Sequence, residues 1–312
     1  MQIKELCLGG EIVENNVLLA PMAGYTDYAI RKLQIENGVG LAFTELVSAK
    51  GLAYGGEGSK ELLYSNGDEN KTAVQIFGSE EYYMRWACES EHLAPFKIVD
   101  INMGCPVPKV FKNGEGSALL TDIKKAESII KACVKSGKII TVKIRTGLKK
   151  GDDIAADYAK MAEDSGAKLI TIHGRVREDY YSGEPDYGAI ERAKKSVTIP
   201  VIANGGIFTK YDADVMIDRT GADGVMLARG AIADPFLVSA LTGKKTNTDL
   251  KSYIISHLKL MRERLSDKRA AMEFRKFTPY YFKGMTGVKD LKLKIQTAES
   301  TQEIIDLIRK NL

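Results

Sequence analysis

The sequence predicts an α/β fold: a (β/α)8 barrel of the TIM type, followed by a small C-terminal helical domain. Eight short apolar runs rich in β-branched residues alternate with helical patterns, and they begin roughly every 25–40 residues, as repeated βα units do. Most runs are apolar throughout, which is typical of parallel strands covered by helices. Glycine-rich segments follow the last two runs instead of the first, and this favours a closed barrel over a doubly wound open sheet.

The eight predicted barrel strands come in chain order. They are Val17–Met22, Leu41–Leu46, Thr72–Gly78, Ile98–Cys105, Ile139–Gly147, Leu169–Arg175, Pro200–Gly206 and Gly224–Gly230. Ser79 and Thr121 are expected to cap the helices that follow the third and fourth strands. Gly166 and Gly221 are expected to end the helices before the sixth and eighth strands, because glycine adopts the left-handed backbone of a helix C-terminus without strain.

Residues 1–240 form the predicted barrel, and residues 241–312 form the predicted helical domain. Helical patterns cover Lys251–Leu265, Lys268–Phe282 and Ser300–Leu312, and no further strand follows. Residues 240–312 contain 16 Lys and Arg against 8 Asp and Glu, whereas residues 1–239 contain 29 against 33. This asymmetry indicates that the C-terminal part contacts a polyanion. Charge alone is equally compatible with an ordinary lysine-rich helical surface.

The composition argues against several classes of protein. No apolar run approaches the roughly 18 residues that a membrane span needs, and Met1–Glu5 lack the apolar core of a secretory signal. The four cysteines are too few for a disulfide framework in 312 residues, and no CxxC pair suggests zinc. We therefore expect a cytoplasmic protein without membrane contact or metal. We also expect a monomer, although nothing in the composition bears on oligomeric state.

Two strand ends predict a phosphate-binding site, because polar residues at the carboxyl ends of barrel strands face the active site. Asn204, Gly205 and Gly206 end the seventh predicted strand, and Ala228 and Arg229 lie at the end of the eighth. Glycine lets backbone N–H groups approach an anion closely, and an arginine adds a fork of donors. The alternative is that these glycines only make tight turns.

Strands three and five carry polar side chains between apolar neighbours. Lys143 and Arg145 lie two residues apart on strand five and therefore point to the same side. A lysine inside a barrel is costly unless it faces an anion or a polarised ligand, and a reduced flavin carries negative charge that a lysine could neutralise. Gln75, on strand three, has the donor and the acceptor that a flavin pyrimidine edge requires.

Two further strand ends complete the predicted site. His173 is the only one of the three histidines at a strand end, and Arg175 and Arg177 follow it. Cys105 lies at the end of strand four, in a Gly–Pro turn near basic residues, where a thiol can donate a proton or attack a substrate. A lone cysteine is usually a packing residue, but its position at a strand end favours a catalytic Cys105.

These strand ends, taken in order, resemble the dihydrouridine synthases over nearly the whole chain. The matching segments are Ala20–Gly24 with Thr26-Asp27, Thr44-Glu45, Gln75–Gly78, Asn102–Pro106 with Lys109-Val110, Gly116–Leu120, Lys143–Arg145, His173–Arg175 with Arg177, and Asn204-Gly205. Each segment is weak alone, whereas the ordered set is highly specific. Arg275–Phe277, followed by Tyr280, Tyr281 and Gly284, resembles the tRNA-binding helical domain of the bacterial B-type branch, although that branch usually has His in place of Phe277.

The resemblance implies an enzyme that reduces specific uridines in tRNA to 5,6-dihydrouridine, with FMN as cofactor and NADPH as reductant; NADH is the alternative reductant. The implied cofactor contacts are Ala20, Pro21 and Met22 along the isoalloxazine, Gln75 and Lys143 at its polar edge, and His173, Asn204, Gly205, Gly206, Ala228 and Arg229 at the ribityl phosphate. The implied RNA contacts are Asn102 at the uracil, with Arg145, Arg175, Arg177, Arg275 and Lys276 elsewhere. Reduced FMN would deliver hydride to uracil C6 of an extruded uridine, and Cys105 would protonate C5.

Two other functions remain open on the sequence. A flavin barrel that acts on a free pyrimidine, such as a dihydroorotate dehydrogenase, would share the barrel, the phosphate loops and the lysine, but it would not need a basic helical tail. A non-catalytic RNA-binding barrel is the third possibility. The presence of Cys105, Lys143 and His173 argues against it.

Overall fold

Eight parallel strands close into a barrel in the computed structural model, which describes all 312 residues. An antiparallel hairpin of β1 (Leu6–Leu8) and β2 (Glu11–Val13) comes first. The barrel strands are β3 (Val17–Leu19), β4 (Leu41–Phe43), β6 (Thr72–Phe77), β7 (Ile98–Met103), β8 (Ile139–Arg145), β9 (Leu169–His173), β10 (Val201–Asn204) and β11 (Gly224–Leu227), and the short β5 (Val47–Ser48) pairs only with β6. Pairing of β11 with β3 and of β4 with β6 completes the ring, so the predicted (β/α)8 barrel is confirmed.

Every predicted strand is present, but pairing ends one to three residues before each predicted carboxyl end. The clearest case is β11, which ends at Leu227, while Arg229 already begins the helix Arg229–Ala233. The strand-like apolar pattern therefore continues into the loops that follow the strands.

Helices surround the barrel. The α-helices of the barrel part are Tyr28–Glu36, Ala49–Ala53, Glu57–Glu61, Glu81–Glu89, Pro108–Lys112, Ile123–Val134, Ala155–Asp164, Tyr187–Ser196, Lys210–Thr220, Arg229–Ala233 and Leu237–Thr242, and the 3-10 helices are Glu69–Lys71, Glu91–Leu93 and Gly116–Thr121. None of these or the later helices combines the length and the apolar character that crossing a membrane requires.

Two predicted helix starts are wrong by one residue. The N-cap residues are Glu80 and Asp122 instead of Ser79 and Thr121, and the Asp122 carboxylate accepts a hydrogen bond from the Lys125 N–H. A carboxylate also interacts favourably with the positive end of the helix dipole, whereas an uncharged hydroxyl interacts with it much more weakly. The predicted helix ends are confirmed: Gly166 and Gly221 have left-handed backbone, with φ of 99° and 64°.

The C-terminal part is helical, as predicted, but it has five α-helices where the sequence indicated three, because a 3-10 turn divides the predicted helix Lys268–Phe282 and a further helix follows it. Its α-helices are Leu250–Arg262, Asp267–Phe274, Thr278–Tyr281, Lys289–Thr297 and Thr301–Asn311, and Arg275–Phe277 is a 3-10 turn. The helix Lys289–Thr297 was missed because it buries only Leu291 and Ile295, which is too few for a clear periodic pattern. The predicted domain boundary at residue 240 stays a prediction, since the helix Leu237–Thr242 runs across it.

The barrel interior changes from apolar to polar along its axis. At the amino ends of the strands the β1–β2 hairpin closes the barrel, and Leu6, Leu8 and Val13 pack against inward-facing residues such as Leu18 and Phe43. Further along the strands the inward-facing residues are polar, and strand register places them side by side. The neighbouring pairs are Gln75 with Asp100, Asn102 with Lys143, Arg145 with His173, and His173 with Asn204.

Candidate active site

A cavity of about 550 Å³ opens at the carboxyl ends of the barrel strands. All eleven residues predicted to contact the cofactor line it: Ala20, Pro21, Met22, Gln75, Lys143, His173, Asn204, Gly205, Gly206, Ala228 and Arg229. Four more predicted site residues also line it, namely Cys105, Asn102, Arg145 and Arg175. Three predicted RNA-contacting residues lie outside it, namely Arg177, Arg275 and Lys276.

Cys105 lies at the wall of the cavity in the turn that follows β7. The Asn102 Oδ1 atom accepts hydrogen bonds from the N–H groups of Gly104 and Cys105, at 3.2 and 2.9 Å. The Cys105 carbonyl accepts a 2.7 Å hydrogen bond from the Ser117 hydroxyl, which fixes the other side of the turn. Burial raises the pKa of the half-buried Cys105 thiol, although the Val107 N–H and the charge of Arg145 oppose this. The side chain is therefore a protonated thiol at neutral pH.

Lys143 is a buried cation that has no carboxylate partner. Its Nζ donates a 2.9 Å hydrogen bond to Asn204 Oδ1, and the Asn204 amide is held in turn by a 2.8 Å bond to the Met226 carbonyl. Burial, followed by the charge of Arg145, lowers the pKa of Lys143 to about 7, while Asp100 acts in the opposite direction. An anion in the cavity would stabilise the charged form, so this lysine marks a place for negative charge.

Gly205 and Gly206 leave space beside His173 that other residues would fill. Both have left-handed backbone, with φ of 117° and 71°. A Cβ atom on Gly205 would lie 2.9 Å from the His173 ring, and one on Gly206 would lie 3.0 Å from Pro185. Burial and the surrounding cations hold the pKa of His173 well below its ordinary value, so the imidazole is neutral. A phosphate or other anion fits this combination of exposed backbone, neutral donor and nearby positive charge.

Arg145 and Arg175 hold the loop that follows β9. Arg145 donates to the carbonyl oxygens of Gly104, Val176 and Tyr180, at 2.8, 3.0 and 2.9 Å. Arg175 donates to the carbonyls of Ser182 and Gly183, at 2.9 and 2.6 Å. Much of their donor capacity is therefore used within the protein, where it fixes this loop and the Cys105 turn. Contact of either side chain with RNA stays a prediction.

The three cations outside the cavity have different surroundings. The guanidinium of Arg177 lies 3.9 Å from the centre of the Phe111 ring. Arg275 donates to the Ala298 carbonyl at 2.9 Å, so its side chain joins two segments of the helical domain. Lys276 pairs with Glu273 at 2.6 Å and lies 6.0 Å from the centre of the Tyr25 ring, at the rim of the cavity.

Several aromatic and apolar residues of the cavity were not predicted. They include Tyr25, Leu46, Tyr181, Phe208 and Tyr280. Tyr280 belongs to the helical domain, and its ring packs edge-to-face on Tyr25 with centroids 5.7 Å apart. Tyr280 could have been predicted as a site residue from the sequence, because it lies in the segment that resembles a tRNA-binding domain. Tyr181 and Phe208 are in loops without periodicity, which carry no such signal.

No group of three or more His, Cys, Asp or Glu side chains is placed to hold a metal ion.

Comparison with known proteins gives one family. The family model of the dihydrouridine synthases (Dus) matches residues 18–311. A tRNA-dihydrouridine synthase B of Pseudomonas putida is 32% identical over 305 residues, which cover 95% of this chain and 90% of the relative. A probable tRNA-dihydrouridine synthase of Rhizobium leguminosarum bv. phaseoli is 35% identical over 301 residues, covering 94% and 93% of the two chains.

Solved structures share the barrel at low sequence identity. A 2-naphthoyl-CoA reductase has a TM-score of 0.61 and 14% identity, with 77% of this chain and 52% of that chain covered. Morphinone reductase has a TM-score of 0.55 and 16% identity, with 80% and 91% covered. These two likenesses establish the fold alone. The family model matches residues 18–311, and the two relatives match nearly the whole chain. The chain therefore belongs to the dihydrouridine synthase family.

Proposed function

We propose that this protein reduces uridines in tRNA to 5,6-dihydrouridine, with FMN as cofactor and NADPH as electron source. The observation that carries the proposal is the composition of the cavity, since the eleven predicted cofactor residues and Cys105 line one space. The relatives that match nearly the full chain are named as tRNA-dihydrouridine synthases, which supports tRNA as the substrate. The preference for NADPH over NADH comes from the family resemblance.

The residues of the cavity suit FMN. Ala20, Pro21 and Met22 offer an apolar wall for the ring system, and Lys143 and Gln75 offer polar groups for its pyrimidine edge. The Gly205–Gly206 backbone, with His173 and Arg229 nearby, would hold the phosphate. When bound and reduced, FMN supplies a hydride for C6 of the uracil.

Cys105 supplies the proton. Its thiol is protonated at neutral pH because burial raises its pKa, and this is the form that a general acid requires. The S–H proton goes to uracil C5, the double bond between C5 and C6 becomes a single bond, and the thiolate is then reprotonated from solvent. Asn102 holds the turn through its Oδ1 atom and donates one N–H to Gln75. Its second N–H is free for a uracil carbonyl.

Residues at the rim are suited to a nucleotide that leaves its stack. Tyr181 is 54% exposed and Tyr280 is half-buried, so both rings are available for contact with a base or a ribose. Lys276, which lies beside Tyr280, would contact a phosphate, as would Arg177. Arg275 and Arg175 stay candidates for RNA contact.

A monomer that works in the cytoplasm is the expected form of the protein.

The purified protein tests this proposal directly. We expect it to be yellow and to release FMN on heat denaturation, identified by mass spectrometry. Incubated without oxygen with NADPH and an unmodified tRNA transcript, it should produce dihydrouridine, measured by mass spectrometry after nuclease digestion, and NADH in a parallel reaction shows the preferred reductant. A protein that binds no FMN contradicts the cofactor assignment. Reduction of free uracil, uridine or orotate without reduction of tRNA contradicts the substrate assignment.

A further inference from the structure

A buried carboxylate lies beneath the cavity and takes no part in the proposed transfer of hydride and proton to the uracil. Asp100 is on β7, two residues before Asn102, and is 0% exposed. Its Oδ1 accepts a 2.5 Å hydrogen bond from the Thr141 hydroxyl, and its Oδ2 accepts a 2.7 Å bond from Gln75 Nε2. A buried carboxylate that relies on neutral hydrogen-bond partners is costly to keep.

A continuous chain of hydrogen bonds connects Asp100 to the Cys105 turn. Gln75, which donates to Asp100, also accepts a 2.8 Å hydrogen bond at its Oε1 from Asn102 Nδ2. Asn102 Oδ1 in turn accepts from the backbone N–H groups of Gly104 and Cys105. Both amides of this chain line the cavity, whereas Asp100 does not.

The carboxylate at one end of this chain and the backbone N–H groups at the other end require the same direction for every bond in it. An ionised carboxylate only accepts hydrogen bonds, so Gln75 must turn its NH₂ group toward Asp100 and its oxygen toward Asn102. Asn102 must then turn its NH₂ group toward Gln75 and its oxygen toward the Cys105 turn. Backbone N–H groups only donate, so the far end requires the same direction. A flip of either amide would place two donors or two acceptors against each other at two points of the chain.

The charge state of Asp100 agrees with this role. Burial raises the pKa of Asp100 to about 6, while the hydrogen bonds from Thr141 and Gln75 and the charge of Lys143 act to lower it. The group is therefore mostly ionised at neutral pH. In that state it is an obligate acceptor, and the direction of the chain is fixed.

We propose that Asp100 is a positioning residue for the flavin and for the Cys105 turn. Its carboxylate fixes the orientation of the Gln75 and Asn102 amides, and hence which hydrogen-bonding atoms these residues present to the cavity. This proposal rests on the proposed binding of FMN. It gives Asp100 an effect on the flavin and on the proton donor although the side chain reaches neither.

The test compares Asp100→Leu with Asp100→Asn. Leucine has nearly the same shape but accepts no hydrogen bond, so it leaves the Gln75 donor unpaired and removes one of the two constraints on the orientation of that amide. We expect Asp100→Leu to weaken FMN binding on the order of ten-fold or more, and to shift the visible spectrum and the midpoint potential of the bound flavin. Asparagine can still accept from Gln75 but also allows the reverse orientation. Asp100→Asn should therefore recover most of the affinity and still show a smaller shift of the spectrum.

Asp223 provides the matched control, because it lies at the opposite end of the barrel, where it accepts a 2.9 Å hydrogen bond from the Val201 N–H. The same two substitutions there should leave FMN affinity and spectrum unchanged. If Asp100→Leu folds and binds FMN with the parental affinity and spectrum, Asp100 is not a positioning residue, while the proposed function stands. If Asp100→Leu does not fold, Asp100→Asn decides, and a spectrum and potential identical to those of the parent overturn the proposal. Failure of the parental protein itself to bind FMN would contradict the proposed function instead.

Discussion

The two sides of the cavity differ in chemistry. One side, formed by β8, β9 and the loops after β10 and β11, carries the cations Lys143, Arg145, Arg175 and Arg229, whose donors reach amide or backbone carbonyl oxygens instead of carboxylates. The other side, formed by the loops after β3 and β4 and by the helical domain, is apolar and aromatic, with Met22, Tyr25, Leu46 and Tyr280. The positive charge of the first side remains available for an anion. The second side offers flat rings and excludes water.

Cys105 lies between the two sides, and its substitution should have the largest effect on the reaction. We expect Cys105→Ala to reduce the rate of uridine reduction by about 10²- to 10⁴-fold, which is what a general acid contributes. FMN binding and oxidation of NADPH should stay near parental, because the cations of the first side are intact. Dihydrouridine formed in single-turnover reactions, with flavin reoxidation followed in parallel, measures both effects.

Cys133→Ala is the matched control for that substitution. Cys133 is fully buried in the helix Ile123–Val134, away from the cavity, so its loss should affect stability only. Parental dihydrouridine formation by Cys105→Ala would show that another group donates the proton. Loss of FMN binding in Cys105→Ala would show that the turn containing Cys105 contributes to cofactor binding.

Side-chain positions were predicted better on the strands than on the C-terminal helices, and the reason is physical. Strand geometry fixes direction, because residues two apart point to the same side; the inward orientation of Lys143 and Arg145 therefore follows from the sequence. A charged helix or turn residue carries no such information. Arg275 and Lys276 are adjacent and equally basic, yet Arg275 donates to a carbonyl within the helical domain and only Lys276 lies at the cavity rim.

Residues that act through other residues are harder still to predict. The alternation of strand β7 that turns Asn102 inward also turns Asp100 inward, but the sequence does not show which amide the carboxylate meets. That pairing depends on the register between β6 and β7, which places Gln75 beside Asp100. Register between neighbouring strands is a property of the whole barrel. The aromatic side of the cavity was missed for a related reason, since the C-terminal helices supply part of it.

Lys143 should determine how cofactor binding on the cationic side depends on pH. Its pKa is lowered from an ordinary 10.5 to about 7 in the ligand-free protein. Because the unfolded chain binds this proton more tightly, the contribution of Lys143 to the free energy of unfolding decreases as pH falls from about 10 to about 7. The pyrimidine edge of the flavin accepts a hydrogen bond best from the protonated lysine, so affinity should decrease as pH rises from about 6 to about 9.

Lys143→Met should remove that pH dependence and weaken FMN binding by about 10- to 100-fold, as expected for loss of a hydrogen bond to a charged group. Fluorescence titrations across this pH range measure both effects. Riboflavin is the control ligand, because it lacks the phosphate, whose own titration falls within the range. An unchanged pH profile in Lys143→Met would place the titrating group elsewhere on the cationic side.

Tyr280 should show the smallest effect, and one confined to the RNA. Base–aromatic stacking contributes about 1–3 kcal/mol, so Tyr280→Ala should raise KM for tRNA by about 5-fold or more. Tyr280→Phe, which keeps the ring, should restore most of the affinity. FMN affinity should not change, because Tyr280 is not among the predicted cofactor contacts. Leu293→Ala, at a 59% exposed position of the same domain, is the control for a general loss of apolar surface. If Tyr280→Ala weakens FMN binding as strongly as tRNA binding, Tyr280 belongs to the cofactor site and not to the RNA site.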